Sequence, residues 1–193
     1  MLIFATPPGM RMNKSVHWIA DEGLLGPMFA RIAAERPLEL HCVDTWEGGI
    51  EHRPGGTAEA DMGAVERNFL HNTTLACAEA RCPVDLHRHK AFSDVAMAGL
   101  LASGQAGQFD FIYIDGSHEA PDVLADAVLG FRLLKQGGIL GFDDYWWHEE
   151  LPGGRDPIRT PKIAIDAFTN IYCRKVETLW HPNYQVYLRK IAD

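Results

Sequence analysis

The sequence contains no apolar run near the roughly 20 residues that a membrane-spanning helix requires. Its start, MLIFATPPGMRMNK, has no basic stretch ahead of an apolar core, so no signal peptide is expected. Positive charge is in short supply. Lys and Arg total 18 against 26 Asp and Glu, a formal net charge of −8, which argues against a nucleic-acid backbone as the main partner. Cysteine is scarce too. Cys42, Cys77, Cys82 and Cys173 are scattered, and no two have the two-residue spacing of a zinc knuckle or a redox site. A reducing, cytoplasmic setting is the expectation. Internal repeats and low-complexity segments are also missing. What is present is a chain of 193 residues, 47% hydrophobic and 23% charged. That composition and length suit a globular protein of one domain, residues 1–193, with a substantial core.

The most informative stretch runs from Phe109 to Tyr145, FDFIYIDGSHEAPDVLADAVLGFRLLKQGGILGFDDY. Phe109, Phe111, Ile112, Tyr113 and Ile114 form an aromatic and β-branched run, enough for one buried strand. It stops at Asp115-Gly116-Ser117-His118. Pro121 suits the first turn of a helix, and Asp122 complements its positive end. Leu124, Ala127, Val128, Phe131 and Leu134 recur at helical spacing, and Gly137-Gly138 is expected to cap that helix. Ile139, Leu140 and Phe142 make a second strand, ending at Asp143-Asp144-Tyr145. A strand, crossover helix and strand form a right-handed unit with parallel strands. Asp115 and the Asp143-Asp144 pair should therefore leave the same carboxyl edge, where open α/β sheets bind ligands. Three carboxylates there repel one another, and a hard divalent cation is their natural partner. His118 is a candidate general base, or equally a loop histidine bonded to backbone.

Along the rest of the chain the pattern repeats. Residues 1–15 read as an irregular segment broken by Pro7-Pro8-Gly9, although Leu2 to Phe4 could start a strand. A short apolar run over Val16–Ala20, a helix from Pro27 to Pro37 and a strand over Leu38–Val43 follow. Glu47 to Gly63 is a long loop, either a disordered insertion or a lid. The helix after it shows Met62, Val65, Phe69 and Ala76. Val84 to His89 alternates as a strand, and Val95 to Leu101 is a helix. Of the adjacent Trp146 and Trp147, one is expected to line a pocket. Thr160-Pro161 opens a last helix, and Val176–Leu179 with Tyr184–Leu188 should form an antiparallel hairpin.

IYIDGSH, an amphipathic helix, LLKQGG and GFDDY in this order resemble the second half of a class I S-adenosylmethionine (SAM) dependent methyltransferase. The branch resembled has Asp-Gly-Ser-His after its fourth strand and Asp-Asp-Tyr after its fifth. The resemblance implies a Rossmann-like α/β sheet of seven strands, mostly parallel, with an antiparallel C-terminal hairpin. It implies SAM as cofactor and Mg²⁺ as helper, with O-methylation of a small hydroxylated molecule. No nucleic acid or membrane partner is implied, and a homodimer is left open. VDTWEGG is similar to the family's second motif. Asp44 would then be the ribose ligand, and Trp46 would stack near the cofactor. Phe92 and Ser93 match the adenine position. Asp115 would lie near the transferred methyl and share the metal with Asp143 and Asp144. At the first strand the glycine pattern is degenerate. In the register that best fits the distance to Asp44 only Gly23 matches, with Ile19 where another glycine belongs, while a second register over Pro7–Ser15 recovers Gly9 and Ser15 but stands too far from Asp44. Two other classes therefore stay open: a methyltransferase fold that binds without turnover, and a metal-dependent enzyme of other chemistry.

Overall fold

The structure, a computed structural model, describes residues 2–5, 36–56, 59–149, 153–179 and 184–193. The expected strand at Val16–Ala20, the helix from Pro27 and the glycine-motif residue Gly23 lie outside these residues. No helix among the described residues is long and apolar enough to cross a membrane. The chain forms two compact units. One comprises Met1–Ala5, His41–Asp44 and Arg88–Asp193, and the other Thr6–Leu40 and Thr45–His87.

The first unit carries the sheet. Its strands are β1 (Leu2–Ala5), the ends of β2 (Leu38–Asp44) and β3 (Val84–Lys90), then β4 (Phe109–Ile114), β5 (Leu134–Phe142), β6 (Val176–Thr178) and β7 (Val186–Lys190). Their order across the sheet is β3-β2-β1-β4-β5-β7-β6. β4 and β5 are parallel, with Ile112 opposite Leu140 and Ile114 opposite Phe142. β7 is antiparallel to both β5 and β6. The N-terminal segment departs from the reading of an irregular 1–15. Leu2–Ala5 is a strand that lies between β2 and β4 and runs antiparallel to β4. A four-residue apolar run carries no sign of its own direction, so its pattern could not reveal this.

Among the described residues three helices of this unit, α2 (Ser93–Ala102), α3 (Ala120–Leu133) and α4 (Pro161–Ile171), follow α1 (Met62–Glu79), which belongs to the other unit. On α3, Val123, Ala127 and Phe131 fall on one face and are buried. On α4 the buried face is Ala164, Ile165 and Phe168. Phe131 and Phe168 meet edge to face at 6.1 Å, beneath Phe109, Ile112, Leu140 and Phe142 of the strands. Each such side chain contributes about 1.5–3 kcal/mol through loss of water contact.

The crossover differs from expectation at its far end. α3 stops at Leu133, and Gly137-Gly138 lie within β5. Phe109 pairs with Leu134 but Phe111 with Ile139, so the chain bulges between, with Gly137 at φ +83°. A bulge needs positive φ as much as a helix cap does, and the two demands select the same residue. The helix end is capped from elsewhere. Lys190, buried on β7, donates to the carbonyls of Phe131 at 3.0 Å and Leu134 at 2.8 Å.

A glycine in β5 has a different task. A Cβ on Gly141 would stand 2.8 Å from Tyr113 Cδ2 and 2.9 Å from Tyr187 Cε1. The absent side chain lets two tyrosines on the flanking strands approach over β5, ring centres 6.4 Å apart. Gly141→Ala is expected to lower stability by about 1–3 kcal/mol through overpacking. Denaturant unfolding measures it, and an unchanged midpoint would show that the rings yield freely.

The second unit holds the amino ends of β2 and β3, a 3-10 turn at Ile50–His52, and α1 (Met62–Glu79). Asp61 caps α1 by accepting from the Ala64 N–H at 3.1 Å. The Glu47–Gly63 stretch is thus partly ordered by local bonds. Its Glu51 is buried, and the His52 ring accepts from the Gly49 N–H at 3.0 Å.

Candidate functional site

The register between β4 and β5 sets the site. Both strands end at one level, so the next residue of each, Asp115 and Asp143, leaves the sheet side by side. Asp143 N–H still donates to the Ile114 carbonyl at 3.0 Å, which extends the ladder by one step. Asp144 then takes φ +55°, in the left-handed region that a non-glycine residue occupies at a cost of about 1–3 kcal/mol. This kink turns the Asp144 side chain to His118. The His118 Nε2 donates to Asp144 Oδ2 at 3.1 Å. The Trp147 ring stacks on the imidazole, centres 3.8 Å apart and planes 16° apart. Of the adjacent tryptophans, then, Trp147 joins the site, while Trp146 is half exposed.

Asp115, His118, Asp143 and Asp144 line one narrow pocket, walled by Phe142 and Pro161. The Asp115 carboxyl is pushed up to about 6, first by burial and then by repulsion from Asp143 and Asp144, with His118 acting against these. Asp143 is held from below. Tyr113 O–H donates to its Oδ2 at 2.5 Å, and the Asp144 N–H donates to its Oδ1 at 2.9 Å. The sequence showed no sign of Tyr113 as a site residue, because a tyrosine in a buried strand reads as core.

The other expected residues sit elsewhere. Asp44 ends β2, exposed, and its carbonyl accepts from the Ala91 N–H at 3.1 Å. Phe92, next to Ala91, is 67% exposed. Ser93 opens α2, and its hydroxyl favours the charged form of the Asp126 carboxyl on α3. Asp44, Phe92 and Ser93 do not line the pocket of Asp115. Trp46 belongs to the second unit. It is buried, with φ +53°, and its ring tilts against Phe69 at 5.1 Å.

The sequence model of the methyltransferase-domain family matches residues 21–145, nearly two thirds of the chain, and the match contains Asp115, His118, Asp143 and Asp144. The chain belongs to that family. Membership makes it an enzyme, a methyltransferase. No curated protein matches its sequence. Among solved structures, a Corynebacterium glutamicum protein shares the fold at a TM-score of 0.51 and 14% identity, over 87% of this chain and 81% of the other. An O-methyltransferase from Bacillus cereus, in complex with SAH, is similar at 0.48 and 14%, over 91% and 84%. MycE, a methyltransferase of the mycinamycin biosynthetic pathway in complex with Mg, SAH and mycinamycin VI, is similar at 0.45 and 18%, over 88% and 50%. The methyltransferase thus spans half the length of MycE, and 57% of a TDP-rhamnose 3'-O-methyltransferase from calicheamicin biosynthesis.

The residues fit the groups this family would use. An exposed acid at the end of β2, next to an exposed ring, suits a nucleoside that has hydroxyls to donate and a flat face to cover. At the β4–β5 edge, three oxygen-only side chains suit a hard divalent cation. Their oxygens do not all lie within 4.8 Å of one another, because Asp143 faces Tyr113 and Asp144 faces His118. The donor set matches in kind.

Proposed function

We propose that this methyltransferase is of class I, uses SAM, and methylates a hydroxyl oxygen of a small molecule with help from Mg²⁺. The observation that supports it is His118, held by Asp144 next to Asp115 and Asp143, at the carboxyl ends of two parallel strands. When bound, SAM supplies an electrophilic methyl group and Mg²⁺ supplies Lewis acidity toward the acceptor oxygen.

Asp44 would accept hydrogen bonds from the ribose hydroxyls, and Phe92 would cover the adenine. Ser93 would meet the adenine through its backbone amide and its hydroxyl. Asp115, Asp143 and Asp144 would hold the cation, and Asp115 would also border the methyl position. The remaining step is proton removal. A carboxylate can only accept, so the bond to Asp144 puts a hydrogen on His118 Nε2. In the neutral ring Nδ1 then carries the lone pair and takes the acceptor's proton. Trp147 keeps the ring plane fixed.

Calorimetric titration with SAM tests the cofactor half. Asp44→Ala should weaken binding by about 1.5–3 kcal/mol, the worth of hydrogen bonds to a charged group, with the fold intact. Equal affinities for variant and wild type would remove Asp44 from the site. No heat with wild type would remove SAM.

A further inference from the structure

Three charged side chains beside the site have no part in the catalytic reading. Arg159, just ahead of α4, reaches two loops at once. Its Nε stands 3.1 Å from Glu119 Oε1, and its Nη1 stands 2.5 Å from Glu149 Oε2. Glu119 follows His118 directly, and Glu149 lies two residues beyond Trp147. One guanidinium therefore ties the chain after the histidine to the chain after the tryptophan that stacks on it. Neighbouring bonds follow the same path. The Ala120 N–H donates to the Ile158 carbonyl at 2.8 Å, and the Thr160 hydroxyl donates to the Trp147 carbonyl at 2.8 Å.

These charges stand where charge is costly. The Arg159 side chain is 14% exposed and that of Glu149 11%. Replacing such a buried ion pair by apolar side chains of similar volume is often neutral or stabilising, so stability alone does not account for it. Helix capping does not account for Glu119 either. It holds the cap position of α3, but its carboxylate makes no capping bond. The pairs are not aligned hydrogen bonds, since Arg159 Nε and Glu149 Oε2 find no partner at hydrogen-bonding geometry. What the arrangement supplies is spacing. A planar, permanently charged guanidinium sets the distance between two carboxylates, and here between two loops. Those loops meet in the stack of Trp147 on His118, with ring centres 3.8 Å apart.

We infer that Arg159 is a positioning residue, which keeps the Trp147 ring on His118 by holding Glu119 and Glu149 at a fixed separation. The inference rests on the reading of His118 as the base. A base has to meet the acceptor hydroxyl at hydrogen-bond reach, and a misplacement of about 1 Å costs on the order of 100-fold in rate.

The test compares wild type, Arg159→Met, Glu149→Gln and His118→Gln. Proton NMR follows the histidine rings, and the His118 signals are those missing from His118→Gln. Methyl transfer from SAM is assayed over a panel of phenols and simple sugars, with SAM affinity by calorimetry and the melting temperature of each protein. The indole face shields the His118 ring protons in wild type. In Arg159→Met and Glu149→Gln these signals should move downfield, toward those of an unstacked histidine. kcat should fall by about 10–100-fold, with SAM affinity near wild type. A purely structural role would lower the melting temperature and leave the His118 signals in place, and that outcome overturns the inference. If Arg159→Met does not fold, Glu149→Gln decides. If no acceptor of the panel turns over, the His118 signals decide. Displaced signals with wild-type kcat overturn the inference where His118→Gln has lost turnover. Where His118→Gln keeps turnover, the base reading itself has failed, and the inference falls with it.

Discussion

His118→Ala is expected to lower kcat by about 10²–10⁴-fold, the usual worth of a positioned general base. The reasoning is geometric. Asp144 fixes which nitrogen carries the hydrogen, and Trp147 fixes the plane in which the other presents its lone pair. Alanine also removes the stacking partner of Trp147, so it alone would not separate chemistry from packing. His118→Gln does. It keeps a donor toward Asp144 and has no nitrogen that can take a proton. Both variants should lose turnover alike in a methyl-transfer assay over small hydroxylated acceptors, while SAM affinity by calorimetry stays near wild type. Wild-type kcat in His118→Gln would end the base role.

The second large effect concerns stability. Asp126 is 3% exposed on α3, and its carboxyl is pushed up to about 6, first by burial and further by Asp122 and Asp94, against the hydroxyl of Ser93. Between its ordinary value near 3.8 and about 6, the folded chain holds a proton here that the unfolded chain releases. Stability from this group is therefore present at low pH and is lost as pH rises through that window. A shift of about 2 pH units corresponds to about 3 kcal/mol. Asp126→Asn cannot ionise, so it should be more stable than wild type at pH 7 by up to about 3 kcal/mol. The gain should shrink to nothing below about pH 4. Urea unfolding at several pH values measures it. An equal gain at pH 4 and pH 7, or none at either, would show that the buried charge is not the cause.

How much of this was legible depends on how local the signal is. The β4–α3–β5 crossover is contiguous, so its aromatic run, helical period and acidic ends stood in one stretch, and they gave Asp115, His118, Asp143 and Asp144 as neighbours. The pairing of His118 with Asp144 follows from that topology. Where partners come from afar, the reading failed or was silent. The helix end was assigned to Gly137-Gly138, but the cap is Lys190, more than 50 residues away, and the glycines serve a bulge. Gln185 was read inside the strand Tyr184–Leu188, whereas the strand begins at Val186 and Gln185 is buried just before it. The helix read from Val95 begins two residues earlier, at Ser93. The strand at Leu2–Ala5 was weighed as a start and then merged into an irregular segment, because Pro7-Pro8-Gly9 dominated the pattern.

That strand has a consequence for how the chain is made. Leu2 pairs with Tyr113, more than 100 residues away, so β1 is synthesised long before this neighbour. At about 5–20 residues per second on the ribosome, β1 waits roughly 5–20 seconds for β4 to emerge. Until it docks, β2 and β4 each present an open hydrogen-bonding edge in what becomes the middle of the sheet. Contacts this distant in sequence are slow to close.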